Sequence, residues 1–130
     1  MADKTVTVEF TYNGANPPTW NFDPDTVQMP QGQDTLSWTL SAGNLPTGWS
    51  ARFHDSEGIT FGPNANWPGT RPTAVAGDPL GYACSENNAN ANRAPIDYPY
   101  CSMVQVLDAN GAVHATYTSD PQVENEGRGA

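Results

Sequence analysis

Two cysteines, two histidines and fourteen carboxylates are the side chains of this 130-residue chain with reactive or ligating potential. Cys84 and Cys101 each stand where a polar stretch meets an alternating one, with sixteen residues between them. A disulfide at the base of that Asn-rich stretch is expected, and on the loop-entropy argument it would stabilise the fold by about 3 kcal/mol. Two buried thiols are the alternative, the default in a reducing compartment. Zinc lacks ligands here, since two Cys and two distant His make no spaced cluster.

His54 alternates away from Trp49 and Phe53, which puts it on a solvent-facing side beside Asp55 and Glu57. It reads as a surface histidine among acids, with a ligand or acid/base role as the sharper alternative. His114 falls likewise on a polar face, between Val113 and Ala115. Asp23, Asp25, Asp34, Asp55 and Glu57 could contribute to a cation site, but they lack calcium-loop spacing. Without a Gly-x-Ser-x-Gly run, a phosphate-loop glycine pattern or a nucleophile with its base, no catalytic constellation stands out. The expectation is therefore a protein that is not an enzyme and has neither metal nor cofactor.

Of the four tryptophans, Trp38 and Trp49 alternate with apolar neighbours and belong to a core. Trp20 and Trp67 border proline-rich loops. They either pack those loops down or present flat rings to a sugar or a protein partner. These two, with His54, Asp55 and Glu57, are the candidate binding residues.

The elements that must position these groups follow from period-two alternation. Val6, Val8, Phe10 and Tyr12 share one face over residues 4–12, and Asn13-Gly14 ends the run. Trp20 and Phe22, then Val27 and Met29, make a second region interrupted at Pro24, which confines it to an edge or a bulge. Leu36, Trp38 and Leu40 form a third, and Trp49, Ala51 and Phe53 a fourth. Asp55 to Gly58 reads as a hairpin-like turn into Ile59-Thr60-Phe61, with Gly58, Gly62 and Gly69 all in turns.

Residues 62–79, with four prolines, read as a long loop anchored by Trp67. A short strand from Leu80 ends at Cys84, and residues 85–93 read as a polar surface excursion. Val104 and Val106 lead into Asp108-Ala109-Asn110-Gly111, and Val113, Ala115 and Tyr117 lead away, a strong hairpin signal. Asp120-Pro121 closes it. These runs predict an all-β, antiparallel two-sheet sandwich of seven to eight strands with long loops, cupredoxin-like or immunoglobulin-like. One domain is expected over residues 1–121, with a tail at 122–130.

The order of features resembles the cupredoxin family of copper-binding β-sandwiches in three places. These are Ala51-Arg52-Phe53-His54-Asp55, Gly81-Tyr82-Ala83-Cys84-Ser85 and Ser102-Met103-Val104-Gln105-Val106. The resemblance implies a His, Cys and Met ligand set around copper. The family's second histidine, due between the Cys and the Met, is absent between Cys84 and Met103. The interval is also long and holds a second cysteine. The resemblance therefore implies the fold and argues against a type 1 copper centre.

A formal charge of −9 opposes phosphate backbones and anionic lipid, so neither nucleic acid nor a membrane is an expected partner. No run approaches the ~18 apolar residues of a spanning helix. The start of the chain has no secretory pattern, which reads as cytoplasmic, or as exported if Met1 is an added start on a mature chain. The leading expectation is a non-catalytic module that binds a protein partner or self-associates through its long loops or a sheet edge. A degenerate cupredoxin-type metal or redox protein and a carbohydrate-binding module are the alternatives.

Overall fold

A computed structural model of the chain describes residues 3–61, 67–91, 94–119 and 122–125. The strands are β1 (Asp3–Thr11), β2 (Thr19–Asp23), β3 (Thr26–Met29), β4 (Gly32–Gly43), β5 (Ser50–Phe53), β6 (Ile59–Phe61), β7 (Thr73–Val75), β8 (Asp78–Asn88), β9 (Ile96–Leu107), β10 (Val113–Ser119) and β11 (Gln122–Asn125). The architecture is all-β and two-layered, as the alternation requires. One sheet has the order β2-β1-β4-β8-β7. The other is built on β9, with β10 and β11 along one edge, β5 and β6 along the other, and β3 outside β11.

Two pairs depart from the expected antiparallel pattern: β1 with β4, and β3 with β11, are parallel. The cause is the break at Pro24. After β2 pairs with β1, the chain crosses at Pro24-Asp25 and continues as β3 in the opposite sheet. It then returns as β4 beside β1, running in the same direction. Both β2 and β3 are edge strands, the position proline tolerates.

Inward side chains from both layers make one core. Val6, Val8 and Phe10 of β1, Leu36, Trp38 and Leu40 of β4, Tyr82 of β8, and Tyr100, Val104 and Val106 of β9 are all buried. Trp38 Nε1 donates to Tyr100 Oη at 3.0 Å and so joins the two sheets by a buried hydrogen bond. That bond satisfies the polar atoms of two rings whose burial would otherwise be costly.

Three expected boundaries move. β8 does not end at Cys84 but runs on to Asn88, and the supposed excursion over 85–93 is strand in its first part. Glu86 and Asn88 continue the inward parity of Tyr82 and Cys84, so polar composition concealed an unbroken period of two. Residues 122–125, expected in the tail, form β11 with Val123 fully buried. β5 and β6 are not a hairpin. They lie end to end along the same edge of β9, interrupted at Met103, whose carbonyl accepts from His54 N and whose N–H donates to Gly58 O.

The hairpin between β9 and β10 forms as predicted, with Asp108 Oδ1 accepting from the N–H groups of Asn110 and Ala112. Gly62, Pro63, Arg93, Asp120-Pro121 and the end of the expected tail, 126–130, lie outside the described residues.

Candidate functional site

The crossover at Pro24 joins the two sheets on the β2/β3 side. On the other side, the edges formed by β5–β6 and by β7 are bridged by turns and side chains, and a groove of about 360 Å³ opens there. Beneath it lie the buried rings of Phe53 of β5 and Tyr82 of β8, 5.4 Å apart in an edge-to-face arrangement. Ala74, Val75 and Pro79 form an apolar wall, and Arg52, Asp55 and Asp78 supply charge at the rim.

Local sequence explains the construction. Tyr82 Oη accepts from Gly58 N at 3.0 Å and donates to His54 O at 2.7 Å, pinning the 54–58 turn onto β8. Burial foremost holds this phenol above its ordinary pKa. Only glycine fits at 58, since a Cβ there would lie 2.5 Å from Tyr82 Cε1 and 2.8 Å from His54 O. Asp78 Oδ1 accepts from Leu80 N and shapes the turn that opens β8. Arg52 Nε donates to Gln105 Oε1 on the neighbouring strand. All three residues of β7 are exposed, and Val75, at 41% exposure, lines the groove.

Of the candidate residues read from sequence, His54, Asp55 and Glu57 do fall on one turn beside this groove, but they do not converge as a site. His54 is half-buried. Its Nδ1 accepts from Glu57 N at 3.0 Å and Ser56 N at 3.3 Å, which places the ring proton on Nε2. The ring thus shapes the turn, and the Asp55 carboxylate 3.5 Å from that same Nδ1 has no proton to accept from it. Asp55 and Glu57 are exposed.

Trp20 and Trp67 are both half-buried and engaged. Trp20 packs edge-on against Phe10 and stacks near Phe22. Trp67 stacks on Phe61 at 4.0 Å and donates Nε1 to Thr70 O at 3.2 Å. That contact docks residues 68–70 onto β8, where Thr70 N donates to Ser85 O and Asn87 N donates to Pro68 O. Gly69 is required at this close approach, because a Cβ would collide with the Ser85 carbonyl. Trp38 is buried, as expected, while Trp49 is only half-buried, against Tyr12 and His114.

The expected disulfide is not formed. Cys84 lies on the inward face of β8, whereas Cys101 sits between the buried Tyr100 and Ser102 of β9 and so turns to the outer face of the opposite sheet. Strand parity, invisible while residues 85–93 are read as a loop, separates the two sulfurs. The same parity bears on the copper ligands that the resemblance implies. Met103 leaves β9 on the outer face and Cys84 points inward from β8, so with His54 they do not fit a shared ion. Among the described residues no group of three His, Cys, Asp or Glu side chains is placed to hold a metal.

Sequence reasoning missed a second polar feature. Asp34 on β4 stands directly opposite Glu86 on β8, and both are buried, at 4% and 2% exposure. Burial first, and the Asp34 carboxylate second, push the Glu86 pKa up to about 7. A cavity of about 220 Å³ borders the pair, alongside Thr70 and Ser85. No protein-family model matches the chain, and no curated protein matches it.

Proposed function

We propose that the protein is a non-catalytic binding module whose ligand is another polypeptide, taken up in the groove between β5 and the β7–β8 hairpin. The observation that carries this reading is the groove itself. It combines exposed aliphatic side chains, supported by two buried aromatic rings, with charged rim residues beside an exposed sheet edge. Concave apolar surface with a few placed polar groups is the usual form of a binding site, and exposed aliphatic side chains beside it mark a contact surface. The two candidates for a carbohydrate platform, Trp20 and Trp67, are instead engaged in packing, which weighs against sugar stacking.

A cupredoxin-like scaffold without the copper chemistry is part of the same proposal. Two of the three places that carry the resemblance meet at one spot, where His54 N donates to Met103 O. Panning a random peptide library against the protein and against Val75→Arg tests the binding reading. Peptides should be enriched on the parent and lost on the variant, whose substitution fills the groove from an exposed position. No enrichment, or equal capture by both, would refute it.

A further inference from the structure

Resting on that groove reading, we infer that the occupant is an extended, basic peptide segment with an aliphatic side chain flanked by lysine or arginine. Three observations select this class. The exposed Ala74, Val75 and Pro79 offer an apolar seat of side-chain size, supported from beneath by the buried rings of Phe53 and Tyr82. Asp55, whose side chain is 88% exposed, and the exposed Asp78 stand at its rim and outnumber the half-buried Arg52 that lines it, while the nearby Arg71 is tied to Ser56 O. The formal charge of −9 draws cations toward the whole surface and opposes the approach of a second copy of this chain.

The extended conformation follows from β7. This strand pairs with β8 along one side, and all three of its residues are exposed. An incoming strand can add along its outer edge and place alternate side chains into the groove. Three residues allow only a short ladder, so most of the selectivity falls to the seated side chain and the rim carboxylates. Rim charges at this exposure act through attraction that salt screens.

The test is fluorescence anisotropy with three labelled heptapeptides: Lys-Thr-Lys-Val-Lys-Thr-Lys, its glutamate counterpart, and a lysine peptide with threonine in place of valine. The first should bind about tenfold more tightly than either of the others, and raising the salt to roughly 0.5 M should weaken it. Val75→Arg should abolish its binding, and Asp55→Asn/Asp78→Asn should weaken it about tenfold. Glu9→Gln/Asp97→Asn, which removes the same charge from exposed positions outside the groove, should leave it unchanged.

Equal binding of the lysine and glutamate peptides, both lost in Val75→Arg, would overturn the basic class while leaving the groove reading standing. Equal weakening by both double-charge variants, with Val75→Arg inert, would mean general polycation attraction and overturn the inference. So would failure of the first peptide to bind; enrichment of other peptides in library panning would then still support the groove.

Discussion

The inward face of β4 and β8 changes chemistry midway along one ladder. Trp38 opposite Tyr82 and Leu36 opposite Cys84 are apolar, whereas Asp34 opposite Glu86, with Asn88 opposite Gly32, are polar. Parity is the same in both halves, and Asp34, Glu86 and Asn88 are as buried as the apolar residues. The aromatic half contributes burial, at roughly 25 cal/mol per Å² of apolar surface removed from water. The polar half contributes hydrogen bonds that fix where chain segments lie. Asn88 Nδ2 donates to Met29 O at 2.8 Å, and Asn88 Oδ1 accepts from Asn90 N. Gln31 Nε2 donates to Asn90 O, and Asn90 Nδ2 donates to Ala94 O. Two of these bonds tie the end of β3 and the turn before β4 to the end of β8 and the connection that follows it, and the other two shape that connection itself. Stability is thus concentrated at one end of the ladder, and register and connection geometry at the other.

The largest effect is expected at the aromatic end. Trp38→Ala removes a fully buried ring and the donor to Tyr100, and should cost about 3–5 kcal/mol in urea unfolding. A loss below about 1 kcal/mol, the scale of an ordinary surface change, would erase the contrast between the halves.

A smaller effect, opposite in character, is expected at the polar end. The Glu86 carboxyl binds its proton more tightly in the folded protein than in the unfolded chain, its pKa rising from the ordinary 4.5 to about 7. Its contribution to stability is therefore fully present below pH ~4.5 and is lost as pH rises through ~7. Melting temperature measured from pH 5 to 8 should fall more steeply for the parent than for Glu86→Gln, which carries no titrating proton. Parallel slopes would remove the carboxylate pair from the account.

The smallest effect is one of reactivity. Burial first, and Glu86 second, push the Cys84 thiol pKa up to about 12, so almost no thiolate exists at neutral pH. Iodoacetamide at pH 8 should leave Cys84 intact in the native protein and modify it after unfolding, as read by peptide mapping. Equal rates in the two states would show that this midpoint of the ladder is open to solvent.

Most of the strands were legible because Val, Phe, Trp and Tyr alternate with polar residues, and two-sided pleating converts that alternation into a buried and an exposed face. Residues 4–12, 36–40 and the Asp108–Gly111 hairpin needed nothing further. The polar end of β8 failed the same test only in composition. Glu86 and Asn88 keep the spacing of Tyr82 and Cys84, and alternation weighed without hydrophobicity would have extended the strand. The groove offered no such signal. Phe53, Val75, Asp78 and Tyr82 come from three strands in two sheets, and their meeting depends on which edges the crossover leaves open.

By itself, then, the sequence determined the β class, the inward faces of most strands, the edge placement forced by Pro24 and the final hairpin, because each depends on neighbours along the chain. Tertiary structure decided that β1 and β4 run parallel, that Cys84 and Cys101 face different ways, and that Asp34 and Glu86 share one buried site. Each of these depends on which strand pairs with which, and pairing across tens of residues is settled by closure of the whole sandwich, which no local spacing records.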